Sequence, residues 1–330
     1  MEAQLLELFG FLNDSREDIR KLAAENCAGL SKATDLHPVF GHNNGAAIKR
    51  LMEMIADHPL IAHDAISAMV NLSANPDLVP YFNNEGFVAM LVITIILPDS
   101  VLADLCCMLL NNITKDEAIA KLLIPEVDAK EEEEKLKRRF NPSPIVPKTE
   151  ETTTTINATG ESEKPIRKTP YLDNLMEVFV RPNTLATKAQ KEEGEEPETA
   201  PHNPNATYNF LAGVFANISM VPSGAKALRS RSNVDNVIRL SKLLPFLNHE
   251  GGWDSIRRGG CMSAVKNCCF DVQDETTGGL LLSTELNLVP YILLPLCGPN
   301  DFDDEDIDNL PEDLQLLNLP RLVNQLPTSV

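Results

Sequence analysis

The sequence predicts an all-α protein, an armadillo/HEAT-like right-handed α-solenoid with a long, partly disordered insertion in the middle of the chain. Three observations support this prediction: a short helical motif recurs, its copies follow a regular spacing, and the composition suits helix packing. Of the 330 residues, 43% are hydrophobic but only 5% are aromatic. Such a composition favours a core of small and aliphatic side chains between helices.

The repeated motif is clearest at residues 65–73, AISAMVNLS. Each copy has apolar residues at positions i, i+3, i+4 and i+7, which form one stripe of an amphipathic helix. The clearest copies place in this stripe Ala65, Ala68, Met69 and Leu72; Cys106, Leu109, Leu110 and Ile113; Leu211, Val214, Phe215 and Ile218; Cys261, Ala264, Val265 and Cys268. An earlier copy, residues 23–31, fits except that Asn26 takes the second position and Gly29 replaces the Asn of the other copies.

The spacing of the copies identifies the architecture. Gly29 and Asn71 are 42 residues apart, Asn71 and Asn112 are 41 apart, and Asn217 and Asn267 are 50 apart. A period of about 40–47 residues is typical of armadillo and HEAT repeats. The separation of 105 residues between Asn112 and Asn217 equals one unit of 42 plus 63 more. We therefore expect a large insertion between these two copies.

Composition divides the chain into four parts. We expect N-terminal armadillo-like repeats in 1–125, an insertion in 126–207, C-terminal armadillo-like repeats in 208–300, and an acidic loop with an irregular tail in 301–330. Residues 126–169 and 191–205 have little hydrophobic content and much Pro, Glu, Lys and Thr, which is typical of disorder.

Residues 171–181 interrupt the insertion with a different pattern. Leu172, Leu175, Met176 and Phe179 recur at i, i+3, i+4 and i+7. This spacing predicts a helix whose apolar side docks on the repeats.

Charge and hydropathy exclude several classes of function. The formal net charge of −19 would repel a phosphate backbone, so we expect a protein partner and no nucleic acid. The longest apolar run, residues 87–97, is shorter than the ~20 residues that span a bilayer. The N-terminus lacks the pattern of a signal peptide. We expect a monomeric protein of the cytoplasm, with a nuclear pool as an alternative, and no membrane partner.

The sequence contains no motif of a common enzyme class. P-loop, GxGxxG, GxSxG and HExxH strings are missing, and the six His residues lack ligand spacing. Four of the seven Cys residues, Cys27, Cys106, Cys261 and Cys268, fall in the helix stripe, where a free Cys acts as a small hydrophobe. We therefore expect no enzymatic activity, no cofactor and no metal.

A recurring Asn lies outside the apolar stripe and is the first candidate for partner binding. The candidates are Asn71, Asn112, Asn217 and Asn267. A carboxamide both donates and accepts hydrogen bonds, so a row of Asn can pair with the backbone of an extended peptide. The alternative is that each Asn caps its own helix or bonds the neighbouring repeat. Asn71, Asn112 and Asn217 also belong to N-x-S/T tripeptides, but a glycan is incompatible with a repeat helix in a protein without a secretion signal.

Positive charge near the last copy supplies a second set of candidates. Arg257 and Arg258, with Lys266 nearby, stand out against the acidic background. They could bind an acidic surface of a partner, or they could be ordinary solvated side chains.

Four strings in the chain resemble a known family. They are RRGGCMSAVKNCCFD (257–271), YILLPLCGPNDFDDEDIDNLPEDLQLL (291–317), FLAGVFANIS (210–219) and ADLCCMLLNNIT (103–114). Together they resemble the eukaryotic Hgh-type, or brain-protein-sixteen-like, armadillo proteins over residues 1–317. Members of this family continue into charged helices, whereas this sequence ends with NLPRLVNQLPTSV. We therefore expect the terminal repeat to be missing.

The resemblance implies a non-enzymatic chaperone dedicated to translation elongation factor 2. Its partners would be this client, the cytosolic chaperonin and immunophilin co-chaperones. The resemblance assigns the same binding candidates, the four Asn residues with Arg257 and Arg258. An armadillo adaptor that binds an extended peptide in an Asn-lined groove is the alternative, and an unrecognised enzyme is the third hypothesis.

Overall fold

A computed structural model describes residues 2–124, 171–181, 203–247, 253–270 and 275–293. The α-helices of these residues are α1 (Glu2–Phe11), α2 (Glu17–Leu30), α3 (His37–Phe40), α4 (His42–Glu53), α5 (Pro59–Leu72), α6 (Glu85–Ile96), α7 (Ala103–Ile113), α8 (Glu117–Leu122), α9 (Tyr171–Val180), α10 (Leu211–Ser219), α11 (Pro222–Arg229), α12 (Ser255–Phe270), α13 (Glu275–Leu281) and α14 (Leu288–Leu293). Short 3₁₀ segments are Thr34–Leu36, Met54–Ala56, Val79–Phe82 and Arg239–Phe246. Within the same residues, β-structure is limited to an isolated bridge between Arg231 and Ile238. The predicted all-α class is confirmed.

The repeated motif forms a layer of stacked helices. In this layer α2 packs on α5, α5 on α7, α7 on α10, and α10 on α12. Every predicted stripe residue of α5, α7, α10 and α12 is at most 2% exposed. In α2, Ala23 and Cys27 are buried and Leu30 is half-buried, whereas Asn26, the exception in the pattern, is exposed. The apolar stripe predicted from the sequence is therefore the inner side of an α-solenoid.

A second layer covers the stripes of the first. α4 packs on α5 and α6 packs on α7, while the segment 239–246 packs on α12. The regular part of α4 begins after Gly45, because Asn43, Asn44 and Gly45 have positive φ angles. Each described repeat thus consists of a motif helix and a covering element, as a helical solenoid requires.

The helix α9 belongs to this second layer. It contacts α6 on one side and the segment 239–246 on the other. The ring of Phe179 meets Phe215 of α10 edge-on at 5.2 Å and Phe246 at 4.8 Å between centroids. α9 therefore lies in the second layer between α6 and the segment 239–246, and its Phe179 contacts α10. The sequence pattern predicted a docked helix inside an insertion, whereas the structure uses it as an element of the repeat itself.

Two ion pairs fix α9 to the following repeat. Asp173 and Arg239 are 0% and 2% exposed, and their side chains form two parallel bonds of 2.5 and 2.8 Å. Arg239 also donates to the carbonyl of Ala227 and the hydroxyl of Ser230. Lys242 lies 2.8 Å from Glu177 at the border of the same contact. These bonds satisfy the donors and acceptors of the buried pair on several sides.

The chain re-enters the solenoid beside α7. Asn203 donates to the carbonyl of Ser100 at 2.8 Å. The Asp104 carboxylate accepts bonds from the backbone N–H groups of Thr207 and Tyr208, at 2.9 and 2.8 Å. These contacts place α10 directly after α7 in the stack, although about a hundred residues separate them in sequence.

Several predictions concern residues outside the described part of the chain. The predicted disorder of 126–169 and of most of 191–205 lies there, as does the acidic loop and tail of 301–330. The division of the chain into four parts stays a prediction. Among the described helices, none has the combined length and apolar composition needed to cross a bilayer.

Removing one member of the buried ion pair tests the attachment of α9. Asp173→Ala should lower the free energy of unfolding by about 3–5 kcal/mol, because it removes the buried carboxylate that pairs with the Arg239 guanidinium. Urea unfolding followed by circular dichroism measures the change. Glu53→Ala, which removes a solvated partner of Arg50, is the control and should leave the midpoint unchanged. Equal midpoints for the Asp173 variant and the native chain would contradict the role of the pair.

Candidate functional site

The four candidate Asn side chains join consecutive repeats. Each Nδ2 donates to a hydroxyl oxygen of the preceding motif helix, and all four Asn residues are half-buried. The bonds are Asn71 to Ser31 at 2.9 Å, Asn112 to Ser73 at 3.1 Å, Asn217 to Thr114 at 3.0 Å and Asn267 to Ser219 at 3.0 Å. Asn217 also donates to the carbonyl of Asn111 at 2.8 Å. The sequence left open whether each Asn caps its own helix or bonds the neighbouring repeat, and the structure contains the bond to the neighbouring repeat.

Each accepting hydroxyl passes the hydrogen bond on to its own helix. The hydroxyls of Ser31, Ser73, Thr114 and Ser219 donate to the carbonyls of Ala28, Val70, Leu110 and Ala216, at 2.9, 2.8, 2.7 and 2.6 Å. These four hydroxyl residues are at most 3% exposed. We call the resulting chain of bonds, from Asn to hydroxyl to carbonyl, the Asn–hydroxyl relay.

The relay explains the N-x-S/T tripeptides of the sequence. In Asn112-Ile113-Thr114, the Asn reaches back to Ser73 while the Thr receives the bond of Asn217. The same residue spacing therefore serves two different contacts, one with each neighbouring repeat. Gly29 stands at the Asn position of α2, and Ser31 of that helix still accepts the bond of Asn71. Sequence reasoning missed the hydroxyl partners, although their fixed spacing after the Asn was visible.

Two polar residues eight positions before a candidate Asn, Asp104 and Asn209, form contacts within the fold. Asp104 holds Thr207 and Tyr208, and the Oδ1 atom of Asn209 accepts a bond from Arg257 at 3.0 Å. We call Asn71, Asn112, Asn217 and Asn267 the ladder Asn residues, and their place in the motif, which Gly29 occupies in α2, the ladder position. The Oδ1 atoms of the four ladder Asn residues receive no hydrogen bond from other described residues. A row of carbonyl oxygens thus stays available on these side chains, and their role in partner binding stays a prediction.

Arg257 lies inside the protein and not on its surface. Its side chain is 5% exposed, and its guanidinium donates to the carbonyls of Phe179 and Thr207 at 2.9 and 2.8 Å. The same group lies over the rings of Phe179 and Phe246, 4.1 and 4.8 Å from their centroids. The sequence-based assignment of Arg257 to a partner-binding surface therefore does not fit its position. The rings of Phe179 and Phe246 surround the Arg257 side chain, and the sequence pattern does not show that these distant residues meet it.

Burial determines the electrostatics of Arg257. Loss of water lowers the pKa of its guanidinium from the ordinary value, and no carboxylate among the described residues forms an ion pair with it. Three hydrogen bonds to neutral oxygens and the faces of two aromatic rings offset the desolvation of the charge. Arg257 thereby connects α9, the entry to α10 and α12.

The neighbouring cations remain on the outside of α12. Arg258 is half-buried and Lys266 is exposed. Neither side chain forms an ion pair with another described residue. Of the three positive charges considered from the sequence, these two stay available for a partner.

The Cys residues of the stripe are poor nucleophiles. Burial raises the pKa of Cys27, Cys106, Cys261 and Cys268 to about 12, so thiolate is scarce near neutral pH. All four are 0% exposed, which confirms their predicted role as small core residues. In the parts of the chain that the structure describes, no three His, Cys, Asp or Glu side chains come together as a metal site would require.

Glycine allows the motif helices to approach closely at the C-terminal end. A Cβ atom on Gly260 would lie 2.5 Å from the carbonyl carbon of Ala212, and one on Gly213 would lie 2.2 Å from Oδ1 of Asn111. Such distances are too short for any side chain. Gly260 meets the backbone of Ala212, so the contact of α10 with α12 depends on the absence of a side chain there, whereas at Gly213 only the end of the Asn111 side chain would have to move.

Two adjacent glycines provide a matched test of this packing. Gly260→Ala should lower the free energy of unfolding by about 1–3 kcal/mol, because α10 and α12 must separate to admit the methyl group. A Cβ on Gly259 has no neighbour within 4 Å. Gly259→Ala should therefore raise the stability by about 0.5–1 kcal/mol through helix propensity. Thermal unfolding of both variants measures these changes. A similar loss of stability in both variants would contradict the close contact between α10 and α12.

The relay predicts coupling between residues far apart in sequence. Asn217→Ala should lower the free energy of unfolding by about 1–3 kcal/mol, because the Thr114 hydroxyl and the Asn111 carbonyl lose a half-buried partner. A double-mutant cycle with Thr114→Val should give a coupling energy of about 0.5–3 kcal/mol. Thr114→Ser, which keeps the hydroxyl, is the control. Strictly additive effects would show that the bond adds nothing to stability.

Comparisons with known proteins agree with the fold and the sequence strings. A family model described as "Domain of unknown function (DUF383)" matches residues 94–323. The "Protein HGH1 homolog" of Schizosaccharomyces pombe is 30% identical over 318 residues, which is 96% of this chain and 74% of that protein. The "Protein HGH1 homolog" of Danio rerio is 24% identical over 320 residues, 96% of this chain and 67% of that protein.

A solved structure has a similar fold. The crystal structure of an engineered protein from the Northeast Structural Genomics Consortium superimposes with a TM-score of 0.54 at 14% identity. The match covers 92% of this chain and 94% of that one. This likeness concerns the arrangement of the backbone only.

Proposed function

The chain belongs to the HGH1 protein family, and from this premise we propose that it is a client-specific folding chaperone without enzymatic activity. The client is newly made translation elongation factor 2, which the protein binds and passes to the cytosolic chaperonin. Immunophilin co-chaperones act beside it. The work takes place in the cytoplasm, with a nuclear pool as an alternative, and needs no cofactor because binding alone performs it.

Family membership is the observation that carries this proposal. The strings at 210–219 and 257–271 lie in α10 and α12, which the relay and the glycine contacts hold together. The family resemblance of the sequence and the packing of the structure thus concern the same helices.

The surface of the solenoid suits a folding client. Large apolar side chains are exposed near the starts of three motif helices: Leu60 at 54%, Val101 at 63% and Ile256 at 44%. All three stand eleven residues before a ladder Asn, so they occupy equivalent positions in their repeats. A multidomain protein that is still folding exposes apolar surface of its own. Apolar side chains spread along a rigid scaffold can bind such a surface through apolar contacts alone, without catalysing a reaction.

The second candidate function is an armadillo adaptor that binds an extended peptide along the Asn residues. The free Oδ1 atoms of the ladder favour it, because they can accept hydrogen bonds from a peptide backbone. The relay weighs against it, because one N–H of each amide is already committed to the preceding repeat.

Depletion of the protein tests the chaperone proposal. The soluble amount of translation elongation factor 2 should fall while its messenger RNA stays constant, and a tagged copy should co-purify elongation factor 2 and chaperonin subunits. Refolding of purified elongation factor 2 in the presence of the full chain is the direct assay, with an unrelated multidomain GTPase as the specificity control. Purification that enriches neither partner would contradict the proposal.

A pair of variants separates the adaptor from the chaperone. An adaptor requires a short linear motif that is sufficient for binding and is lost in Asn217→Ala. Thr114→Val breaks the same relay bond but leaves the Asn217 amide in place. A motif lost with the first variant and kept with the second would favour the adaptor, whereas equal effects would trace the loss to stability.

A further inference from the structure

Among the residues that the structure describes, α12 is the last helix whose Asn takes part in the relay. At the C-terminal ends of α2, α5, α7 and α10, the second residue after the ladder position is Ser31, Ser73, Thr114 or Ser219, and each accepts a hydrogen bond from the next ladder Asn. The same position in α12 is Cys269, which is half-buried. A thiol is a weak acceptor. The sequence of α12 therefore does not provide for another Asn-bearing helix on its outer side.

The outer side of α12 differs in chemistry from the matching side of the earlier helices. Five residues before the ladder position stand Ala24, Ile66, Cys107 and Ala212, all 0% exposed. The corresponding residue of α12 is Met262, which is 41% exposed. Immediately before the Asn stands Lys266, where α10 has Ala216. An apolar contact surface for a further motif helix is thus replaced by a mixed one.

Basic and apolar side chains alternate along this side. Arg258, Met262, Lys266 and Phe270 are spaced four residues apart, so they form one row on the helix. Phe270 is 76% exposed. We call this row the α12 outer row. Two cations with a thioether between them and an aromatic ring beyond them fit a segment that combines carboxylates with large aliphatic side chains.

The chain itself contains such a segment. Residues 301–317 include eight acidic residues and no basic one, with Leu310, Leu314, Leu316 and Leu317 among them. They follow α14 after seven residues, which can extend over about 25 Å. α14 packs on the segment 239–246, and that segment packs on α12. The described part of the chain therefore ends on an element that itself packs on α12.

We propose that residues 301–317 of this chain dock on the α12 outer row. Their carboxylates pair with Arg258 and Lys266, and their leucines cover Met262 and Phe270. The contact covers the outer side of α12 with a charged segment in place of another Asn-bearing helix. It goes beyond the proposed function, because it holds whatever client the solenoid binds. A second copy is a poorer occupant, because two chains of net charge −19 repel each other.

Zero-length crosslinking of the full chain tests this contact. A carbodiimide joins a lysine amine to a carboxylate with loss of water, and peptide mass spectrometry locates the new amide bond. We expect Lys266 to be joined to an acid within 301–313 in the monomer fraction. Lys32 and Lys49, exposed on distant repeats, are the internal controls and should not reach these acids. A bond found only between two chains, or only after a foreign acidic protein is added, would overturn the proposal.

Methionine oxidation gives an independent measurement. In the full chain, Arg258→Glu with Lys266→Glu should release the segment and raise the rate of Met262 oxidation by peroxide severalfold. Met220, which is 74% exposed, reports the general reactivity and should not change. Lys32→Glu with Lys49→Glu, an equal change of charge elsewhere, should leave both rates unaltered. An unchanged Met262 rate in the first variant would overturn the proposal even if the crosslink forms.

Discussion

The hydrogen bond from an Asn amide to a hydroxyl of the preceding repeat is the interaction on which the order of this solenoid depends. Apolar stripes bury surface without direction, so they allow neighbouring helices to slide. The relay has direction and a fixed reach, because each hydroxyl is held by a carbonyl of its own helix. It therefore sets the register in which each motif helix meets the next.

This register is kept across the break in the chain. Asn217 bonds Thr114 and the carbonyl of Asn111 with the same geometry that Asn112 uses toward Ser73. Asp104 fixes the residues just before α10 in a second, independent contact. The additional residues on both sides of α9 thus leave the stack of motif helices unchanged. Local contacts of this kind explain how a repeat protein tolerates large insertions in one unit.

Much of the fold could be predicted because it follows from periodicity. The stripe of Ala65, Ala68, Met69 and Leu72 and its copies indicated which side is buried, and their spacing indicated the solenoid. The place of α9 could not be predicted in the same way. Its stripe showed that it is covered, but its membership in the second layer depends on Phe179 meeting residues of two other elements.

The candidate site was less accessible to sequence reasoning. The Asn positions were recognised, yet their partners lie about forty to over a hundred residues away, and a single sequence does not show which distant residues meet. Arg257 and Arg258 look alike in sequence, but one side chain turns into an aromatic enclosure and the other faces outward. A helix places neighbouring residues about 100° apart, so adjacent arginines can have different surroundings.

The burial of Arg257 has a consequence for the time course of folding. Its bond to the Phe179 carbonyl spans 78 residues, and the ion pair of Asp173 with Arg239 spans 66. Both ends of these contacts exist only after the C-terminal repeat has left the ribosome. Until then α9 lacks Arg239 and Arg257, the residues that hold it against the repeats. The N-terminal helices can assemble during synthesis, whereas this repeat waits until Arg239 and Arg257 have emerged from the ribosome.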